Sequence, residues 1–525
     1  MKLIDSSATH ARPVIREKSC EILVVGAGLS GIGTAIKLKE AGFDDFIIVE
    51  RAGSLGGTWR DNSYPGVTVD IPTIYYSFSF EQSAEWTTFY APQSELLGYC
   101  HRLADKYQVE DHVVYDTLVE QSRYDGTRNE WVTQTASGVV YRSRFLITAT
   151  GLFAVPRLPD IPGLKSFAGK TMHSKAWDHG YDFGGKQVAV IGTGATGVQI
   201  IPELAEVAGK LYVFQRTPTW VFPKPDKPIG PKMRWAMRHI PGFQPLLRLL
   251  SFAAIDMPLF GILGNFQRYG WLARRMRGLC IRHIARSVSD PALRAKLTPT
   301  FDFGCRRPTF SNKFYSAFER PNVELVTDRI QQVDEHAVVT VDGTERPIDV
   351  LVCATGFHVF EKDTNPAFPV YGTAGESLSE VWARGGHEAF KGSAVPGFPN
   401  FFLIYGPYSV SSLSFIRMIE NAVLHILRVL KEARRLGASR VEVTSEAMEQ
   451  DMSWVYARNS RRIWESGNCV GAGPPRANLK ANPSIRSTNS FAAWKDQRFF
   501  PLSHYRFDRA PVVAFAADES RAVAE

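Results

Sequence analysis

Glu21-Ile-Leu-Val-Val25-Gly26-Ala-Gly28-Leu-Ser-Gly31 is the stretch on which the fold turns. A short apolar run bounded by glycine reads as a buried parallel strand. The glycines follow G-x-G-x-x-G, and Ser30 to Ala41 then carries small and aliphatic residues at helical spacing. The first glycine permits a tight turn, the second lets backbone approach a pyrophosphate, and the third allows close helix packing. The helix N-terminus offers unpaired N–H groups to the phosphates. Asp45-Phe-Ile-Ile-Val49 reads as the next strand of a βαβ unit, and Glu50 closes it, nineteen residues past Gly31. A carboxylate there can accept hydrogen bonds from an adenosine ribose whose 2′-OH is free.

The same grammar returns further on. Lys186-Gln-Val-Ala-Val-Ile191 reads as a strand, Gly192 to Ala208 as turn and helix, and Lys210-Leu-Tyr-Val-Phe214 as a strand. Gly192-Thr-Gly194-Ala-Thr-Gly197 repeats the fingerprint, but nineteen residues beyond Gly197 stands Arg216 where the first copy has Glu50. A cation suits a ribose 2′-phosphate, which a carboxylate would repel. The first site therefore reads as FAD and the second as NADP(H). Two further apolar strands end in matching tripeptides, Ala149-Thr150-Gly151 and Ala354-Thr355-Gly356, which suggests two related nucleotide domains with the chain crossing between them.

A chain of 525 residues allows two or three domains and a core that needs no disulfide staples. The six cysteines lie far apart with no C-x-x-C pair, which argues against a metal site or a disulfide framework and fits a reducing, cytoplasmic setting. Residues 1–20 lack an apolar signal core and read as a loose polar leader, and the last ten residues read as frayed. The most apolar stretch, Leu249 to Gly264, contains Asp256 and Pro258, so no spanning membrane segment is expected. The net charge of +8 reads as a dispersed basic surface, and no motif supports nucleic-acid binding.

The fold class expected is α/β, with two Rossmann-like dinucleotide-binding domains and a mostly helical insertion in the NADP domain. The expected division is 18–160 for the first part of the FAD domain and 161–225 with 300–345 for the NADP domain. Residues 226–299 form the helical insertion, and 346–525 complete the FAD domain and shape the substrate pocket. The insertion reads as a lid packed on the core; a weak membrane-surface contact through 226–299 is the alternative reading of the same composition. Ser414 to Leu436 reads as an amphipathic helix.

Two longer strings narrow the function. Phe167-Ala-Gly169-Lys-Thr-Met-His173-Ser-Lys-Ala-Trp177-Asp178 matches F-x-G-x-x-x-H-x-x-x-W-[PD] and lies between the glycine motifs. It resembles the fingerprint of type I Baeyer–Villiger monooxygenases. Gly56-Gly57-Thr58-Trp59, continuing through Tyr64-Pro65-Gly66 to Asp70, is similar to that family's second signature. The resemblance runs from about Glu21 to Gly356 and more loosely to about residue 430. It implies an NADPH- and O2-dependent flavoprotein that inserts oxygen next to a carbonyl through a C4a-peroxyflavin and a Criegee intermediate. The partners so implied are molecular oxygen and a small apolar carbonyl compound.

The resemblance also implies site residues. Phe303-Gly-Cys-Arg306-Arg307-Pro308 is similar to the stretch that carries the family's catalytic arginine. By that match Arg307 stabilises the peroxyanion and Criegee intermediate, Arg306 contacts the NADP 2′-phosphate, and Asp70 orients Arg307. An arginine suits the task because its charge persists at any relevant pH and its fork is directional. Thr58, Trp59 and Tyr76 match flavin-lining positions, while Thr193, Gly194, Ala195, Thr196, Gly197, Val198, Gln199, Arg216 and Thr217 match the NADP-contacting stretch. His173 is expected to tie the interdomain connection to the nucleotide site rather than to transfer protons. Toward the C-terminus, Trp464-Glu-Ser-Gly467-Asn-Cys469 is similar to the family's pattern, but Val470-Gly-Ala-Gly-Pro-Pro475 replaces the aromatic residues that often follow.

Rival readings stay open on the residues alone. One is a flavin monooxygenase that oxidises nitrogen or sulfur without C–C insertion, and another is a non-catalytic FAD/NADP-binding redox sensor. A flavin disulfide reductase would need a redox cysteine pair after the first helix, and none occurs between Gly31 and Cys100.

Overall fold

The computed structural model describes residues 16–470, 485, 486, 488 and 490–509. Most of the expected leader, the replaced stretch after Val470 and the last ten residues lie outside the described residues. The polar start is nonetheless shorter than expected, because strand β1 spans Arg16–Val25 and its first residues pair with Val139 to Ser143. Charged residues at Arg16, Glu17 and Lys18 hide a strand end from a hydrophobicity reading.

Strand β1, helix α1 (Leu29–Glu40) and strand β2 (Phe46–Val49) form the first βαβ unit, with Ile22 through Val25 in parallel register with Phe46 through Val49. Its eight-stranded sheet runs in the order Val370–Tyr371, Val119–Asp125, Glu130–Thr135, Val139–Thr148, β1, β2, Val113–Val114, with Phe401–Leu403 beside Val139–Thr148. Central strands of a parallel sheet are covered on both faces. Ile22 and Val24 accordingly pack in the core shared with α1 and the helix Phe415–Leu436, while Leu23 and Val25 face Trp131, Phe398 and Leu403 on the other side.

Strand β3 (Gln187–Ile191), helix α2 (Ala195–Val207) and strand β4 (Lys210–Phe214) build the second unit. Its all-parallel sheet runs Val323–Val326, β4, β3, Val350–Cys353, Lys170–His173. The strand Val350–Cys353 was expected in the completed FAD domain from residue 346 onward. It pairs instead with β3 and Lys170–His173, so the second unit reaches past residue 345. An apolar strand ending in Ala-Thr-Gly is compatible with either sheet, and only long-range pairing decides.

Between the parts of the second unit come the helices Pro231–His239, Phe243–Ser251, Met257–Gly264, Phe266–Ser287 and Pro291–Leu297. Asp256 and Pro258 break the apolar run but do not end the helix. Phe243 to Gly264 runs continuously, with a π-turn over Phe252–Asp256 immediately before Pro258. A proline lacks an N–H and crowds the carbonyl four residues back, and a widened turn ahead of it absorbs that misfit. By length and composition alone this is one helix among the described residues that could cross a membrane.

Candidate active site

The two glycine turns have the same geometry. Gly26 and Gly192 sit at φ of +109° and +108°, and an added Cβ would come within 2.8 Å of Ala149 O and 2.6 Å of Ala354 O. Those carbonyls belong to the two Ala-Thr-Gly tripeptides, so the repeated tripeptide is the floor against which each first glycine is pressed. Gly31 and Gly197 face back onto the carbonyls of Gly26 and Gly192, away from the cavities. The middle glycines, Gly28 and Gly194, line the cavities themselves. In the first cavity Gly57 closes on Gly28, where an added Cβ would lie 2.9 Å from the Gly28 Cα. Backbone N–H groups at the start of α1 and α2 thus face open cradles that suit pyrophosphates.

Gly26, Gly28, Ser30, Glu50, Thr58 and Trp59 line the first cavity, and the residues present fit an FAD. Glu50 is buried; its Oε2 accepts from Ala27 N at 2.8 Å and its Oε1 pairs with Arg60 at 3.2 Å. The second cavity holds about 1430 Å³, more than one small ligand needs, which suits a dinucleotide together with a substrate. It is lined by Thr193, Gly194, Ala195, Thr196, Gln199, Arg216 and Thr217, with Arg306 and Arg307 across the cleft. Arg216 is exposed at the end of β4, with no carboxylate in the place Glu50 takes in the first unit. Gly197 and Val198 turn inward, Val198 into the core under the helix.

The cavities meet at Thr58, Trp59, Tyr76, Phe153 and Phe415, which line both. Trp59 Nε1 donates to the Tyr76 hydroxyl at 3.3 Å, and the rings stand edge to face at 5.7 Å. This junction is where a ring system seated in the first cavity would reach the second.

Asp70 and Arg307 come together as expected, with Arg307 Nη2 3.5 Å from Asp70 Oδ2. Gln199 Nε2 donates to Asp70 Oδ1 at 3.1 Å and to Thr68 O at 3.0 Å, while Tyr64 OH donates to Gln199 Oε1 at 3.0 Å. Gly66, at φ +78°, lies so close to helix α2 that an added Cβ would be 2.7 Å from Gln199 O. The Tyr-Pro-Gly-to-Asp string is therefore a strap from the first unit laid against the helix of the second. Burial pushes the Asp70 carboxyl above its usual range, opposed by Arg307, Lys224 and the Gln199 hydrogen bond.

Lys224 is the member that sequence reading missed. Its Nζ donates to Thr68 Oγ1 at 2.7 Å, and burial lowers its pKa against the opposing pull of Asp226 and Asp70. Pro-Lys-Pro-Asp around it reads only as a polar loop. Its one available signal is a lysine held between prolines shortly after the second unit.

The fingerprint residues gather around the edge strand Lys170–His173 and line neither cavity. His173 Nε2 faces Gly356 O at 3.0 Å while its Nδ1 accepts from Lys175 N at 3.1 Å, an arrangement that suits the neutral ring, and burial lowers its pKa. Phe167 packs in the core beside Leu351, and Gly169 leaves room for that ring and for Asp349 O. Trp177 stacks on Phe183 at 5.3 Å, and half-buried Asp178 pairs with Lys170 at 2.6 Å.

The six cysteines do not all stand apart. Cys305 and Cys469 form a disulfide with Cα atoms 5.4 Å apart, against the expectation from spacing. A separation of 164 residues gives no sequence signal for such a pair. Around it, Trp464 Nε1 donates to Cys305 O at 2.8 Å, and Asn468 N donates to Asp302 Oδ2 at 2.9 Å. The segment bearing Arg306 and Arg307 is thus fastened to the C-terminal region.

A family model described as pyridine nucleotide-disulphide oxidoreductase matches residues 23–240, a range whose one cysteine, Cys100, leaves no dithiol. A Baeyer–Villiger monooxygenase of Streptomyces coelicolor is 36% identical over 451 residues, covering 86% of this chain and 85% of the relative. The cyclohexanone monooxygenase of Rhodococcus sp. Phi1, solved with NADP+, superposes with a TM-score of 0.82 at 26% identity, over 94% of this chain and 100% of that one. OTEMO, solved with FAD and NADP, gives a TM-score of 0.81 at 28% identity over 91% and 97% of the two chains. With two intact dinucleotide cradles meeting beside a paired arginine and aspartate, and with relatives this similar over most of its length, the chain belongs to the Baeyer–Villiger monooxygenase family.

Proposed function

We propose that this NADPH-dependent flavin monooxygenase converts a small apolar ketone into an ester or lactone, with Arg307 as the catalytic cation and Asp70 as its positioning partner. FAD, when bound and reduced by NADPH, supplies the activation of molecular oxygen. The protein residues do the rest. Addition of oxygen to a carbonyl carbon leaves negative charge on the carbonyl oxygen, and a fixed guanidinium stabilises that charge where it develops. Asp70 Oδ2 holds Arg307 from one side, while Gln199 and Lys224 hold the Asp70 environment from the other. Phe153, Phe357, Val359, Leu413 and Phe415 supply apolar wall near the cavity junction, which suits an apolar carbonyl compound and excludes water. Arg306, Arg216 and Thr217 offer donors for a 2′-phosphate.

The observation that carries this reading is the Asp70–Arg307 pair at the cleft where the two cradles meet. The test is product analysis with cyclohexanone and with thioanisole under NADPH and air, in the native enzyme and in Arg307→Ala. The native enzyme yields lactone, and the variant still takes electrons from NADPH while lactone falls about a hundredfold or more. Sulfoxide without any ester from the native enzyme, or a normal lactone yield from the variant, overturns the reading.

A further inference from the structure

The net charge of this chain is not dispersed. Residues 226–299 hold thirteen Lys and Arg against three Asp and no Glu, an excess of ten positive charges in a chain whose total is +8. The remainder of the molecule is therefore slightly acidic, and the helical insertion alone carries more positive charge than the whole chain nets.

The same block carries an uncovered apolar helix face. Along Phe243 to Gly264, Leu246, Leu249, Leu250 and Met257 are each half or more exposed. Ala253 and Ala254 are exposed between them. These positions recur every three or four residues and so share one side of the helix. The opposite side is fastened. Arg248 donates to the carbonyls of Ser77 and Tyr75 and pairs with Glu420 at 3.4 Å. Asp256, fully buried, accepts from Leu413 N at 2.6 Å, from Ser412 Oγ at 3.0 Å and from Ser490 Oγ. Trp235 on the preceding helix and Trp271 on the following one are more than half exposed, and the neighbouring Arg274 and Arg275 are exposed as well.

We propose that this insertion docks on the surface of an anionic lipid bilayer, with the helix Phe243 to Gly264 lying in the plane of the interface. A helix crossing the bilayer would have to take Arg248 and Asp256 away from their partners and into hydrocarbon. With those two residues holding one face to the protein, only the opposite apolar face is free to enter lipid, to the depth of a side chain. Tryptophans are favoured at headgroup level, and arginines and lysines extend their charged ends toward anionic headgroups. Arg248 grips the carbonyls on either side of Tyr76, so the docked helix is fastened to the segment that reaches the cavity junction. That gives an apolar substrate dissolved in lipid a short route to the enzyme. Arg307 and Asp70 keep their roles whether or not the insertion docks on lipid.

The test uses the FAD-loaded full chain in co-sedimentation with vesicles of phosphatidylcholine, or of phosphatidylcholine and phosphatidylglycerol in equal parts. Binding to the anionic vesicles exceeds that to neutral ones by about tenfold or more and weakens as salt is raised. The double variant Leu249→Glu, Leu250→Glu loses binding by about tenfold or more while keeping wild-type NADPH turnover in vesicle-free solution. Arg274→Glu with Arg275→Glu, a second and purely polar change, lowers anionic binding by a similar factor. Absence of binding to either vesicle, or wild-type binding by both double variants, overturns the proposal. So does a self-associating enzyme that the leucine variant makes monomeric without any vesicle binding, which assigns the face to a second copy of the chain.

Discussion

Asp70 loses hydration on burial, and Arg307, Lys224 and Gln199 return only part of what is lost, so its carboxyl holds a proton above the usual carboxylate range. The sign of the consequence differs for folding and for catalysis. A carboxyl whose folded pKa lies above its unfolded value makes the native state bind more protons in the window between the two. Stability therefore falls as pH rises through that window. Catalysis runs the other way, because the carboxylate must be charged to orient the guanidinium. Ester formation in the native enzyme is expected to rise with pH along a limb displaced above ordinary carboxylate titration. In Asp70→Asn that limb disappears and the rate falls about ten- to a hundredfold, less than on loss of the arginine itself. Melting at neutral pH stays level or rises. Initial rates against pH with parallel thermal melts decide the matter, and an unchanged acid limb in the variant removes Asp70 from this role.

The two βαβ units show what an element discloses through its sequence. Strand, glycine turn, helix and strand were legible in both copies, because burial on two faces writes continuous apolar runs and a close backbone approach demands glycine. Where polar residues extend a strand, as at Arg16 to Lys18, or where partners are remote, as for Val350–Cys353, the local pattern is silent. The contrast at the two strand ends was legible as well. Glu50 is drawn into hydrogen bonds with Ala27 N and Ala52 N, whereas Arg216 faces the second cavity. Arg216→Glu puts at β4 the group that β2 already has. Flavin reduction by NADPH should lose about ten- to a hundredfold in kcat/KM relative to NADH, the worth of one or two charge-assisted hydrogen bonds. Stopped-flow reduction with both coenzymes measures it, and an unaltered ratio dismisses Arg216 as the 2′-phosphate reader.

At the scale of the molecule, the site is assembled by contacts whose partners lie more than a hundred residues apart, and there the sequence has least to say. Arg307 against Asp70 could be anticipated only through the family resemblance, and Tyr64 and Asp70 against Gln199 were not anticipated at all. Lys224 beside Thr68 had only its place between two prolines as a signal, and the bridge from Cys305 to Cys469 had none. The bridge matters because Cys305 immediately precedes Arg306 and Arg307, and its partner lies in the C-terminal segment that also binds Asp302 and the Cys305 carbonyl. A cross-link over so long a loop restricts the unfolded chain, and its removal costs about 2–4 kcal/mol. Cys469→Ser should lower the melting temperature, and the native enzyme treated with a phosphine reductant should behave like the variant. NADPH should still reduce the flavin in Cys469→Ser, since the glycine cradles and the second-cavity helix do not depend on the bridge. Ester formed per NADPH consumed should fall, because the arginine segment then loses its covalent tie to the C-terminal region. Peptide mapping without reductant provides the control: two free thiols in the native protein, or a variant with wild-type melting and yield, would remove the cross-link from any part in holding Arg307.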